Sequence, residues 1–158
     1  MNVHKVIASG LGTGFSPFAP GTAGSILGIL LIYLFNYLLA SLNIGLWTVH
    51  ILNLFAIIFV IVIGNYSIKK VHLVWEHDAP RIVIDEVAGV WIAIFAMPLK
   101  WEYYLFALVL FRIFDISKPF YIRRIDKMRT NWSVMLDDVL AGVYSLIVIQ
   151  ILYYTEII

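Results

Sequence analysis

The sequence predicts an all-α fold, a polytopic bundle of about five membrane helices, and three observations predict it. Hydrophobic residues make up 62% of the 158 residues and charged residues only 13%, with a mean hydropathy of +0.92, far above an ordinary soluble domain. The apolar residues gather in runs of membrane-crossing length. The basic residues fall almost entirely on one side of the topology those runs define. No charged block or Ser/Pro-rich linker divides the chain, so residues 1–158 read as a single membrane-embedded domain.

Taken in order, the first residues, MNVHKVIASGLGTG, hold no unbroken apolar stretch followed by a small-residue cleavage site, so no removable signal peptide is expected. Crossing about 30 Å of hydrocarbon takes about 20 helical residues, and residues 25–42 and 46–64 satisfy this clearly. Residues 82–97 and 101–116, separated by Pro98 and Lys100, are marginal in length. They read either as two short spans in a thinned bilayer or as a re-entrant hairpin. Residues 139–154 form the last span.

With each run crossing once, Lys5, Lys69, Lys70, Arg81, Arg112, Lys118, Arg123, Arg124, Lys127 and Arg129 share one side, and only Lys100 lies opposite. The positive-inside rule makes that side cytoplasmic and puts the C-terminus outside. Trp75 and Trp132 near one face, and Trp47 and Trp101 near the other, fit interfacial aromatic belts. A net charge of +1 gives no basic excess for nucleic acid. The absence of cysteine excludes disulfides, thiolate metal sites and cysteine nucleophiles.

The acidic residues carry the chemistry. Asp85 and Glu86 begin the third run, Asp115 ends the fourth, and Asp137 and Asp138 precede the fifth, so all five belong at one membrane depth. A carboxylate at mid-span costs about 2.5 to 3.5 kcal/mol and is rarely kept without a partner. In IDEVAGV and LDDVLAGV the same device occurs twice, an acidic doublet followed by small residues. Gly89 and Gly142 would let the two helices approach and bring both doublets to one hard cation, for which carboxylate oxygens suit Mg²⁺. The bland alternative is carboxylates favoured by a helix N-terminus.

In FRIFDISKP, Arg112 and Asp115 share a helical face and Lys118 lies just beyond, a cationic pair suited to a phosphate monoester. The stretch GLGTGFSPFAPGTAGS carries the hydroxyls of Ser16, Thr22 and Ser25 but is neither a P-loop nor a dinucleotide fingerprint. It reads either as amides at a helix N-terminus that receive an anion or as a flexible lead-in loop. IRRIDKMR reads as an orientation signal meeting anionic head groups. His4, His50, His72 and His77 have no partner at metal-ligand spacing and receive no role.

The blocks GTGFSPFAPGTAGS, IVIDEVAGVW, FRIFDISKPFYIRRID and MLDDVLAGV, in this order, resemble the phosphatidylglycerophosphatase A family of bacterial inner-membrane lipid phosphatases. The resemblance spans nearly the whole chain. It implies Mg²⁺-dependent hydrolysis of the terminal phosphate of phosphatidylglycerophosphate at the cytoplasmic face. It carries over Ser16, Thr22, Ser25, Arg112 and Lys118 as substrate-binding residues, and Asp85, Glu86, Asp137 and Asp138 as metal ligands. Asp85, Asp115, Arg112 and Lys118 become the catalytic set, with Asp115 as base or nucleophile. The rival reading is a small ion- or proton-coupled transporter, which would carry its charges near the bilayer midplane instead of at one face.

Overall fold

The computed structural model describes residues 2–76, 79–130 and 132–158. Among them are seven α-helices and no strand: α1 (Val3–Ala8), α2 (Pro20–Ser41), α3 (Leu46–Val71), α4 (Ile84–Ala93), α5 (Trp101–Ser117), α6 (Ile122–Asp126) and α7 (Ser133–Tyr154). Three of them, α2, α3 and α7, are long and apolar enough to cross a membrane. Local chemistry sets their ends. Pro20 begins α2, where its missing N–H costs nothing, and Asn43, in the left-handed region at φ 54°, follows its end. Lys118 closes α5 in the same conformation, with Pro119 next.

The helices outrun the apolar runs. α2 starts at Pro20 instead of residue 25, α3 continues through Lys69 and Lys70 to Val71, and α7 begins six residues before Val139. Hydropathy marks only the lipid-facing part of a helix, whereas its backbone hydrogen bonds propagate through polar residues as well. The short helices α1 and α6 carry no apolar run at all.

α4 has ten residues and so covers only about 15 Å, half the hydrocarbon thickness. Residues 94–99 continue from it as irregular chain that lines one hollow together with Ala40, Ile44, Leu46 and Val49, beside the α2–α3 turn. α5 then returns from that end, where Tyr103 meets Tyr153 edge-on, to Lys118 beside Asp137 at the start of α7. The central segment thus runs the length of the bundle and back. Ile94 and Met97 are buried, as non-helical backbone at membrane depth must be.

α4 is the hub, packed on α7, α2, α3 and α5. A Cβ on Gly142 would stand 2.3 Å from the Gly89 carbonyl oxygen, and one on Gly89 would stand 2.7 Å from that of Asp138. Backbone meets backbone here, which only glycine allows. Around this contact Phe111, Val90, Ala141 and Ile149 form the fully buried core. Toward the α2–α3 turn, Asn53 Nδ2 donates to Asn36 Oδ1 (2.8 Å) and Asn36 Nδ2 donates to the Tyr104 hydroxyl (3.0 Å), joining α3, α2 and α5. Such interhelical bonds contribute about 0.6 to 2 kcal/mol each in lipid.

Candidate active site

The two doublets reach one place for different local reasons. Asp85 and Glu86 occupy the first turn of α4, where the macrodipole alone favours carboxylates. The strand of chain before them is pinned by the Val83 amide, which donates to the Ala8 carbonyl at 2.9 Å. Asp137 and Asp138, by contrast, are the fifth and sixth residues of α7, beyond its first turn. The helix dipole fades there and does not account for them. The Gly89–Gly142 contact places this second doublet beside the first.

Between the helices lies a cavity of about 340 Å³. Five carboxylates line it, Asp85, Glu86, Asp115, Asp137 and Asp138, together with Arg112, Lys118, Pro20 and Gly21. Asp85, Asp137 and Asp138 are only 4–6% exposed. Arg112 Nη1 lies 2.8 Å from Asp115 Oδ2 and 4.0 Å from Glu86 Oε1. Lys118 Nζ donates to Asp137 Oδ2 at 2.7 Å and to Asp126 Oδ1 at 2.5 Å. Burial alone would lower the lysine pKa, but the hydrogen bonds and charges of Asp126 and Asp137 outweigh it and raise the group well above its ordinary value. The ammonium therefore stays charged at neutral pH.

Asp85, Glu86 and Asp138 each offer a carboxylate oxygen, and these oxygens all lie within 4.8 Å of one another. Glu86 Oε2 is buried and accepts no hydrogen bond from the described residues. An all-oxygen donor set with too few cations around it fits a hard metal ion. Asp137 stands outside this trio, its Oδ2 taken by Lys118.

The glycine- and proline-rich stretch reaches the cavity through Ala19, Pro20 and Gly21. Its hydroxyls point elsewhere: Ser25 is fully buried and donates to the Gly21 carbonyl at 2.8 Å, and Ser16 donates to the Phe18 carbonyl at 2.8 Å. Thr22 lines a neighbouring apolar hollow beside Arg112. A Cβ on Gly21 would come within 2.3 Å of Glu86 Oε1 and 3.2 Å of Arg112 Nη1, so a side chain here would displace the Glu86 carboxylate. No side chain caps the first turn of α2, and Ala19 before it is held at φ 44°, a strained value of the kind found at ligand sites.

Asp126 escaped sequence reasoning because it sits in IRRIDKMR, whose positive charge pointed to head groups. Its spacing of eight from Lys118 across Pro119 was the signal available. Of the histidines, His4 Nδ1 lies 3.3 Å from Ser67 Oγ, and the His50 ring lies tilted at 51° to Phe95 with the centroids 6.0 Å apart. His77 lies outside the described residues.

The family described as Phosphatidylglycerophosphatase A matches residues 6–153. A Bacteroides thetaiotaomicron protein provisionally named a phosphatidylinositol-3-phosphatase is 42% identical over 92% of this chain and 91% of its own length. Proteins named Phosphatidylglycerophosphatase A from Haemophilus influenzae and Escherichia coli K12 are 37% and 35% identical, over 98% and 91% of this chain and 91% and 80% of theirs. No solved structure matches the chain. With four ordered sequence blocks, one shared cavity and a match along nearly its whole length, this chain belongs to the phosphatidylglycerophosphatase A family.

Proposed function

We propose that the protein hydrolyses the terminal phosphomonoester of phosphatidylglycerophosphate, releasing phosphatidylglycerol and inorganic phosphate, at the cytoplasmic face of a bacterial inner membrane with Mg²⁺ as cofactor. One observation carries this reading: buried carboxylates and two cations share a single cavity at one end of an apolar bundle. The names of the Haemophilus influenzae and Escherichia coli relatives supply the substrate. A transporter would hold such charges at mid-bundle, along a path through it.

Asp85, Glu86 and Asp138 would hold the Mg²⁺, which when bound supplies charge neutralisation for the phosphate oxygens. Arg112 and Lys118 receive the phosphate. The lysine has three donors and its two carboxylate partners use two of them, so one remains for a phosphate oxygen. The first-turn amides of α2, beside Gly21, add partial positive charge. Water attacks phosphorus, the bond from phosphorus to the glycerol oxygen breaks, and Asp115 takes the water proton while Arg112 orients it. The proton taken up by Asp115 then passes to the glycerol oxygen, which leaves as an alcohol, and the Asp115 carboxylate is restored. Asp137 fixes Lys118 and so acts through it.

The name of the Bacteroides thetaiotaomicron relative favours a second substrate of the same chemical type, phosphatidylinositol 3-phosphate. Purified protein assayed for phosphate release with both lipids, with Mg²⁺ and with EDTA, separates the readings. The expected result is Mg²⁺-dependent release with preference for phosphatidylglycerophosphate. Release unaffected by EDTA, or preference for the inositol lipid, would overturn the cofactor or the substrate respectively.

A further inference from the structure

Beside the acidic cavity lies a second hollow, of about 540 Å³, where α5 faces the first turn of α2. Leu108, Val109, Ile113 and Ile116 form its aliphatic walls, and Thr22 sits at its α2 edge. Arg112 belongs to both hollows, forming the partition between them. On α2 the same division falls between adjacent residues, Gly21 toward the carboxylates and Thr22 toward the furrow. The missing Cβ of Gly21 leaves the space next to Glu86 Oε1 and Arg112 Nη1 unfilled.

A charged cavity and an apolar furrow with a common arginine wall match the two halves of one amphipathic molecule. We infer that the α2–α5 furrow seats the acyl chain of the lipid substrate, which arrives sideways from the bilayer with its phosphate passing Arg112. This rests on the lipid phosphatase reading above and adds residues that set chain specificity: Leu108, Val109 and Ile113. Occupancy by a second protein helix is disfavoured because the furrow ends at a charged cavity, where a helix would leave buried polar groups unanswered. A lipid phosphate answers the two cations of that cavity, Arg112 and Lys118.

The test compares long-chain dioleoyl and short-chain dihexanoyl phosphatidylglycerophosphate. Val109→Trp and Ile113→Trp fill the furrow, and both positions are about half exposed, so folding tolerates them. Each is expected to raise KM for the dioleoyl lipid about tenfold, the equivalent of roughly two lost methylene contacts, with kcat unchanged. KM for the dihexanoyl lipid should stay as in the wild type. Ile147→Trp, equally exposed on α7 outside the furrow, should alter neither. Equal changes on both lipids, or none on either, would overturn the furrow as the chain seat while leaving the phosphatase reading in place. A wild type inactive toward both lipids would instead remove the reading beneath it, and the inference with it.

Discussion

Glu86 and Asp138 meet although 52 positions separate them in the chain, Asp138 buried and Glu86 partly so among other acids. Glu86→Gln and Asp138→Asn are nearly isosteric, so each should keep the helical circular dichroism of the wild type. Phosphate release should fall about a hundredfold or more, the scale for loss of one electrostatic element at a reacting site. Asp126 plays a different part, holding Lys118 from outside the cavity. Asp126→Asn removes a charge-assisted hydrogen bond of about 1.5 to 3 kcal/mol and should lower kcat/KM about tenfold. Rescue by Asp126→Glu would separate positioning from general damage. Arg112, Asp115, Lys118 and the doublets were legible in the sequence because a charge bordering an apolar run is costly and calls for a reason. Asp126 was not, since nothing apolar surrounds it in the chain. Nor was the fate of the Ser25 hydroxyl: from sequence it is a donor at a glycine-rich loop, but once α2 starts at Pro20 it falls inside a helix and bonds four residues back.

At the level of elements, the glycine pair is the feature that sequence reasoning read correctly. Two small-residue patterns after two doublets predicted a close helix crossing, and the Gly89–Gly142 contact is that crossing. Gly142→Ala puts a methyl group 2.3 Å from a carbonyl oxygen, so α4 and α7 must part. Overpacking of this kind costs about 1 to 3 kcal/mol, which should lower the thermal midpoint in detergent and reduce turnover by separating the doublets. An unchanged midpoint would mean that the helices do not touch there. The brevity of α4 was half visible: its run was recognised as marginal, but not that ten helical residues plus irregular chain reach the far end. That outcome depends on the cover supplied by α2 and α3, which no local pattern records. The polar bridge of Asn36, Asn53 and Tyr104 was likewise hidden, because single polar residues within apolar runs show no partner until helices are packed.

For the molecule as a whole, the sorting of basic residues predicts an orientation that labelling can check. The chain contains no cysteine, so a single introduced thiol reports its own side. Lys127→Cys should react with an impermeant maleimide only after the membrane is opened, and Asn43→Cys should react in intact cells. The reverse pattern would place the acidic cavity outside. The two rims of the bundle are tied by different chemistry: the Lys118–Asp137 ion pair reaches from the end of α5 to α7 at one, and the neutral amides and phenol of Asn53, Asn36 and Tyr104 join α3, α2 and α5 at the other. Exchanging the residues that would meet a headgroup thus leaves the opposite rim's bonds in place, because Asn36, Asn53 and Tyr104 line no part of the acidic cavity.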